Sequence, residues 1–159
     1  MICMEYGKNT VGVYYKIKND GNEAKLTIAP LLNFRDFHSM STNHNFELKQ
    51  IINKNKVKVV IDKNAANPIY MKMSEGIYIE HKNDTFNNMF YIEEEKRGFY
   101  PEENHTVSGV FEIEIPKKAE KEISFVCSFE ENIDQINVKK LIENEIVRQN
   151  EIYNKSLLI

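Results

Sequence analysis

In residues 10–18 every second position carries an apolar side chain of one set: Val11, Val13, Tyr15 and Ile17. A strand turns successive side chains to opposite faces, so this spacing makes one apolar face that has to be covered. The pattern recurs. Runs rich in Val, Ile, Tyr and Phe stand at residues 24–34, 45–52, 57–62, 69–73, 77–81, 86–93, 109–115 and 122–129, and these residue types suit a pleated, half-buried surface. Between them lie turn-forming steps such as Asn53-Lys54-Asn55, Asn67-Pro68, Ser74-Glu75-Gly76 and Pro116-Lys117-Lys118. About nine short strands with turn signals between them predict two antiparallel sheets packed face to face. The Asn19-Asp20-Gly21-Asn22 step between the first two runs predicts a tight hairpin, since Asp-Gly supplies the positive φ that such turns need.

The period changes after residue 134. Val138, Leu141, Ile142, Ile146, Ile152 and Tyr153 share one helical face, interrupted by Glu145 and Gln149, which predicts one amphipathic helix. The expected fold is mostly β: an antiparallel β-sandwich, part of a larger sandwich, over residues 1–130, and one C-terminal α-helix over 131–159. The chain enters a strand soon after Met1 and closes on Leu157-Leu158-Ile159, an apolar end without a stop signal. Both ends predict a piece of a longer protein, and unpaired strand edges in such a piece predict a possible homo-oligomer.

Composition narrows the function. The 159 residues are 42% hydrophobic without a long apolar run, so no membrane-spanning helix is expected. Lys and Arg total 21 against 24 Asp and Glu, for a net charge of −3, and the basic stretch 49–58 lacks interleaved aromatics, so no nucleic-acid partner is expected. Cys3 and Cys127 form no C-x-x-C pair, which argues for a reducing compartment and against a disulfide framework or zinc site. The N-terminus lacks a basic region followed by an apolar core, so the expected location is cytoplasmic, and the N-x-S/T matches at Asn83, Asn104 and Asn154 are not glycosylation sites. The histidines lack metal-ligand spacing and the six glycines form no phosphate loop, so neither a metal nor another cofactor is expected.

Two constellations invite chemistry. Residues 91–104 place five glutamates among aromatics. Glycosidases need two carboxyl groups about 5–10 Å apart, yet glutamates in succession along a strand point to opposite faces, so Glu93, Glu94 and Glu95 are not expected to share a cleft. Asn33-Phe34-Arg35-Asp36-Phe37-His38 sets polar groups between aromatics just after a strand. Arg35 and Asp36 are placed to pair, and no nucleophile motif accompanies His38. A hydrogen-bonded loop anchor is the expected role.

Several segments resemble the N-terminal domain of bacterial glycogen debranching enzymes of the amylo-α-1,6-glucosidase type. The resemblance begins at Tyr6-Gly7-Lys8-Asn9-Thr10, passes through Tyr15-Lys16-Ile17, and is most specific over Leu26 to His38, where Pro30, Leu31, Asn33, Arg35, Asp36, Phe37 and His38 form P-L-x-N-x-R-D-F-H. Tyr91, Glu94, Arg97 and Gly98 match a Y-x-x-E-x-x-R-G segment, followed by Gly109-Val110-Phe111. The resemblance covers residues 4 to about 130 and implies the later portion of that domain. It implies α-1,6-glucosidase activity on glycogen or a related α-glucan, carried by a helical catalytic domain that this chain lacks, with no cofactor. An acidic Glu-Asp pair is implied after the Arg-Gly step, where this chain has Glu103-Asn104. No catalytic residue maps here. Arg35, Asp36, His38, Glu94, Arg97 and Glu103 are expected at the interface with the catalytic domain or at the rim of its cleft. The alternative is a stand-alone carbohydrate-binding sandwich with a stacking platform of Tyr78, Phe90, Tyr91, Phe99 and Tyr100.

Overall fold

A computed structural model describes residues 1–37, 39–42 and 46–156, without the side chain of Asn83. The chain folds as the expected mostly-β antiparallel sandwich. One sheet has six strands in the order β1 (Ile2–Met4), β2 (Thr10–Lys18), β10 (Glu120–Ser128), β7 (Ile69–Met73), β6 (Lys56–Ile61) and β5 (Leu48–Asn53). The smaller sheet is built on the long strand β9 (Glu102–Ile115). Strand β8 (Ile77–Phe90) runs along one edge of β9, while β3 (Ala24–Ile28) and the two-residue β4 (Leu31–Leu32) share the other. A short helix α1 (Ile92–Lys96) joins β8 to β9, and α2 (Val138–Ser156) follows β10.

Strand parity builds the core. In β6, Val57, Val59 and Ile61 point inward and are buried. On the opposite side, Lys56 bonds Asp134 and Lys58 lies over the Tyr70 ring. Met71 and Met73 of β7 and Ile123 of β10 meet Phe111 and Ile113 of β9 across the sandwich. Phe111 is fully buried and meets the tilted ring of Tyr78 from the same sheet and the ring of Phe125 edge-on from the other, at centroid distances of 4.8 and 5.7 Å. A second apolar cluster covers the outer face of the large sheet, where Tyr70 and Val126 meet Ile133, Val138 and Ile142. Gly12 lets α2 come this close, since a Cβ there would stand 3.0 Å from a Val138 methyl.

Four expectations are corrected. The Asp20-Gly21 step makes no hairpin: β2 is flanked by β1 and β10, and β3 crosses to β9 in the other sheet. The turn is instead organised by Asn19. Its Oδ1 accepts the Gly21 N–H, while its Nδ2 donates to the carbonyls of Asn22 and Pro116. Gly21 is not among the glycines with positive φ, so the geometry that a two-residue hairpin requires is missing. The single strand expected over 24–34 is broken at Pro30, which cannot donate to the ladder. The separate strands at 77–81 and 86–93 are one strand, β8, with register shifts between Glu80 and Asp84 and between Phe86 and Met89. Asn88 sits in that second irregularity at φ 58°, a conformation asparagine tolerates. Finally, the helix begins at Val138, not 134, because Asn137 caps it by accepting the Lys140 N–H. Asp134 lies in a preceding single turn and binds Lys56 and Lys72.

The helix's apolar stripe is used only in part. Val138, Leu141 and Ile142 are buried, whereas Ile146, Ile152 and Tyr153 on the same face are more than half exposed.

Candidate functional site

Strand β9 sends its odd-numbered residues inward: Val107, Phe111, Ile113 and Ile115 are core. The same parity carries Glu103 and His105 to the inside of the sandwich at the strand's first residues, and both are buried. A buried carboxylate needs a partner, since desolvation strongly disfavours its charged form. The chain leaving β4 supplies one. Strand β4 lies against Val107 and Thr106 of β9, so the residues after it return alongside residue 103. There Arg35 grips Glu103 in a fork: Nε donates to Oε1 and Nη2 to Oε2 at 3.2 Å. Its remaining nitrogen, Nη1, donates to the carbonyls of Asp36 and Phe37 at 3.1 and 3.3 Å. Glu103 is fully buried while about a quarter of the Arg35 side chain stays exposed.

The loop is pinned a second time. Ser41 donates its backbone N–H to Glu103 Oε1 at 3.0 Å. Asn104 donates through its backbone to the Ser41 carbonyl and through Nδ2 to the Thr42 carbonyl, and its Oδ1 accepts the Asn88 N–H at 2.8 Å. One short stretch of β9 therefore holds both the loop and the irregular part of β8. Beyond Glu103, His105 Nε2 lies 3.8 Å from the carboxylate and shares a hydrogen bond of 3.2 Å with the Tyr91 hydroxyl. His105 Nδ1 and Asn33 Oδ1 are buried without a hydrogen-bond partner among the described residues. Burial pulls the Glu103 pKa upward, but the Arg35 guanidinium, the Ser41 N–H and the Tyr91 hydroxyl outweigh it and hold the carboxyl below its ordinary value. Burial and the Glu103 charge push Tyr91 up.

The Tyr91 to Gly98 segment proves to be one turn of helix with its cap. Gly98 has φ +80°, and its N–H and that of Phe99 bond back to Glu95 and Glu94, the usual way a left-handed glycine ends a helix. Glu93, Glu94 and Glu95 are thus on α1 and not on a strand, and fan out around it by about 100° each. Glu93 pairs with Lys96 and Glu94 with Arg97, at 2.6 and 3.1 Å, on the exposed side.

Of the residues expected at an interface, Arg35 and Glu103 meet. Asp36 serves Arg35 through its main-chain carbonyl, and Glu94 and Arg97 pair with each other on α1. His38 lies outside the described residues. The expected stacking platform divides. Tyr78 is buried in the core, with its hydroxyl bonded to Gln50 and Ser108, and Tyr91 belongs to the buried cluster. Phe90, Phe99 and Tyr100 remain more than half exposed. Among the described residues no helix is long and apolar enough to cross a membrane, and no three His, Cys, Asp or Glu side chains are grouped to hold a metal.

The family model for the glycogen debranching enzyme N-terminal domain matches residues 1–122, which takes in the loop, the Arg35–Glu103 pair and α1. The chain belongs to that family. No curated protein and no solved structure matches it. In this debranching-enzyme domain, residues 30–37 of the P-L-x-N-x-R-D-F-H run form β4 and part of the pinned loop, and the Y-x-x-E-x-x-R-G run forms α1 and its cap. His105, Asn104 and the Ser41 N–H belong to the site but escaped the sequence reading. Extending the β9 alternation back from Gly109 would have placed Glu103 and His105 inside.

Proposed function

We propose that the chain is the non-catalytic N-terminal portion of a cytoplasmic α-1,6-glucosidase acting on glycogen or a related α-glucan, and that it braces the helical catalytic domain. The observation that carries this reading is the Arg35–Glu103 clamp. A loop that reaches solvent is normally mobile, but this one is fixed to the sandwich by a buried, two-pronged ion pair and by Ser41 and Asn104. It presents Phe37, 86% exposed, from a rigid base. Such a base suits a positioning role, because catalytic groups displaced by about 1 Å lose about a hundredfold in rate. The reading is tested by adding the purified chain to the separately expressed catalytic region of a debranching enzyme and measuring glucose release from limit dextrin. The chain alone is expected to release none, the mixture to exceed the catalytic region alone, and Arg35→Ala to remove the gain. Hydrolysis by the chain alone that disappears in Glu94→Gln or Glu103→Gln would sink the proposal.

The exposure of Phe90, Phe99 and Tyr100 favours a second reading, a carbohydrate-binding module that stacks sugar rings on this arm. Retarded migration of the chain in glycogen-containing gels, lost in a Phe99→Ala/Tyr100→Ala variant, would put it first.

A further inference from the structure

On the outer side of the large sheet, the turn Glu5-Tyr6-Gly7-Lys8, the segment 130–137 and the first half of α2 enclose a groove of about 640 Å³, within the usual range of small-ligand sites. It follows α2 from Lys140 to Arg148, about 12 Å at 1.5 Å per residue. Tyr6 stands at its wall with 75% of its surface exposed. Gly7, at φ +77°, supplies the left-handed position that the turn needs. One face of the Tyr6 ring is covered by the Arg148 guanidinium, 4.4 Å from the ring centroid, and Arg148 is itself held by two hydrogen bonds to Glu145. The ring is therefore fixed in place, and a ligand meeting its other face does not have to order it.

The other lining groups state what that ligand is. Asn132, Gln135, Asn144 and Lys140 have no side-chain hydrogen-bond partner among the described residues. Amides offer both donor and acceptor, which matches a hydroxyl group that needs both. Glu5 is neutralised by Lys8 and Glu145 by Arg148, so the remaining charge is Lys140 against Glu130 and Glu131, slightly negative and unsuited to a phosphate. Met4, Ile136 and Leu141 also line the groove, but a wholly apolar ligand would leave the three amides desolvated and unpaired.

We propose that this groove binds a short neutral gluco-oligosaccharide, with a sugar face on Tyr6 and the hydroxyl groups on Asn132, Gln135 and Asn144. The proposal rests on the reading that the chain works on α-glucan, and it places a sugar site away from the β8–β9 arm. The test is titration of the full chain with maltohexaose, followed by calorimetry and amide NMR. Saturable binding is expected, with shifts confined to residues 5–8, 130–137 and 140–148. Tyr6→Ala is expected to weaken it about tenfold, equivalent to about 1.4 kcal/mol, whereas Tyr6→Phe, which keeps the ring and the Arg148 contact, and Phe99→Ala/Tyr100→Ala are expected to bind as the parent does. Absence of saturable binding at millimolar sugar, or binding indifferent to Tyr6→Ala, would overturn the proposal. The bracing role is read separately, because the Tyr6→Ala chain is still expected to activate the catalytic region.

Discussion

Replacing Arg35 with alanine leaves the Glu103 carboxylate buried with the Ser41 N–H, the Tyr91 hydroxyl and His105 beside it but without its cation. Breaking a fully buried ion pair from one side costs about 3–5 kcal/mol. About a quarter of Arg35 is exposed, so water offsets part of that loss and about 2–3 kcal/mol is expected at pH 7. With a urea m-value of about 2 kcal/mol/M, the midpoint should fall by about 1–1.5 M at unchanged slope. The pH dependence carries the decisive sign. The folded Glu103 pKa lies below its ordinary value of 4.5, so its ionised form contributes stability that is fully present above about pH 4.5 and is lost as pH falls through the folded value. The gap between parent and Arg35→Ala should therefore narrow below pH 4.5, where protonation of Glu103 removes the buried charge that the variant carries. A double variant, Arg35→Met/Glu103→Leu, should be less destabilised than Arg35→Ala, since no charge is left unpaired. A loss under about 0.5 kcal/mol at pH 7, or a gap of constant size between pH 7 and pH 3, would refute the argument that the pair is a clamp.

Three further outcomes are expected. Gly76→Ala should cost about 2–4 kcal/mol in thermal or urea unfolding, because Gly76 has φ +89° and a Cβ there would lie 2.3 Å from the Glu112 carbonyl oxygen; a loss under 1 kcal/mol would count against this turn. Cys127, whose thiol burial pushes up to about 11, should resist alkylation in the native protein at pH 8 and react once urea unfolds it, as peptide mass spectrometry would show. Asp134→Ala should lower Tm by no more than about 4 °C, since an exposed pair contributes about 1 kcal/mol or less, even though Asp134 reaches both Lys56 and Lys72.

The strands were legible wherever one face was apolar and the other polar. In β6 burial alternates cleanly and parity alone identifies Val57 and Val59 as core, whereas in β7 Tyr70 is buried beside Met71 and Met73 because the outer face of the sheet is covered as well. Pairing was less legible, because it depends on partners far along the chain. Nothing local to Asp20-Gly21 reveals that both edges of β2 are occupied, one by β10 with residues 120–128. The middle of β8 reads as a gap between two strands because Lys82, Asp84 and Thr85 are polar and exposed, and it is pairing with Val107 and Thr106 of β9 that keeps the strand continuous there. Helix α1 was hidden for a related reason: five residues are too few for a period to show, and only the Gly98 cap marks its end.

The candidate site shows a different kind of legibility. Arg35 and Glu103 stand out in the sequence one by one, but His105 and the Ser41 N–H do not, and the grouping is hidden, since Arg35 and Glu103 are 68 positions apart and neither has a local pattern that names the other. What brings them together is the parity of β9 combined with the return of the chain after β4. The two segments that resemble the debranching family, Pro30 to His38 and Tyr91 to Gly98, are also distant in sequence, yet Arg35 of the first bonds Glu103 and Tyr91 of the second bonds His105, 3.8 Å from that carboxylate. A sandwich core accepts many apolar residues of similar volume. A buried carboxylate accepts very few partners. The two segments therefore meet at the corner where the sandwich compensates a buried charge, and the proposed bracing role is best tested there.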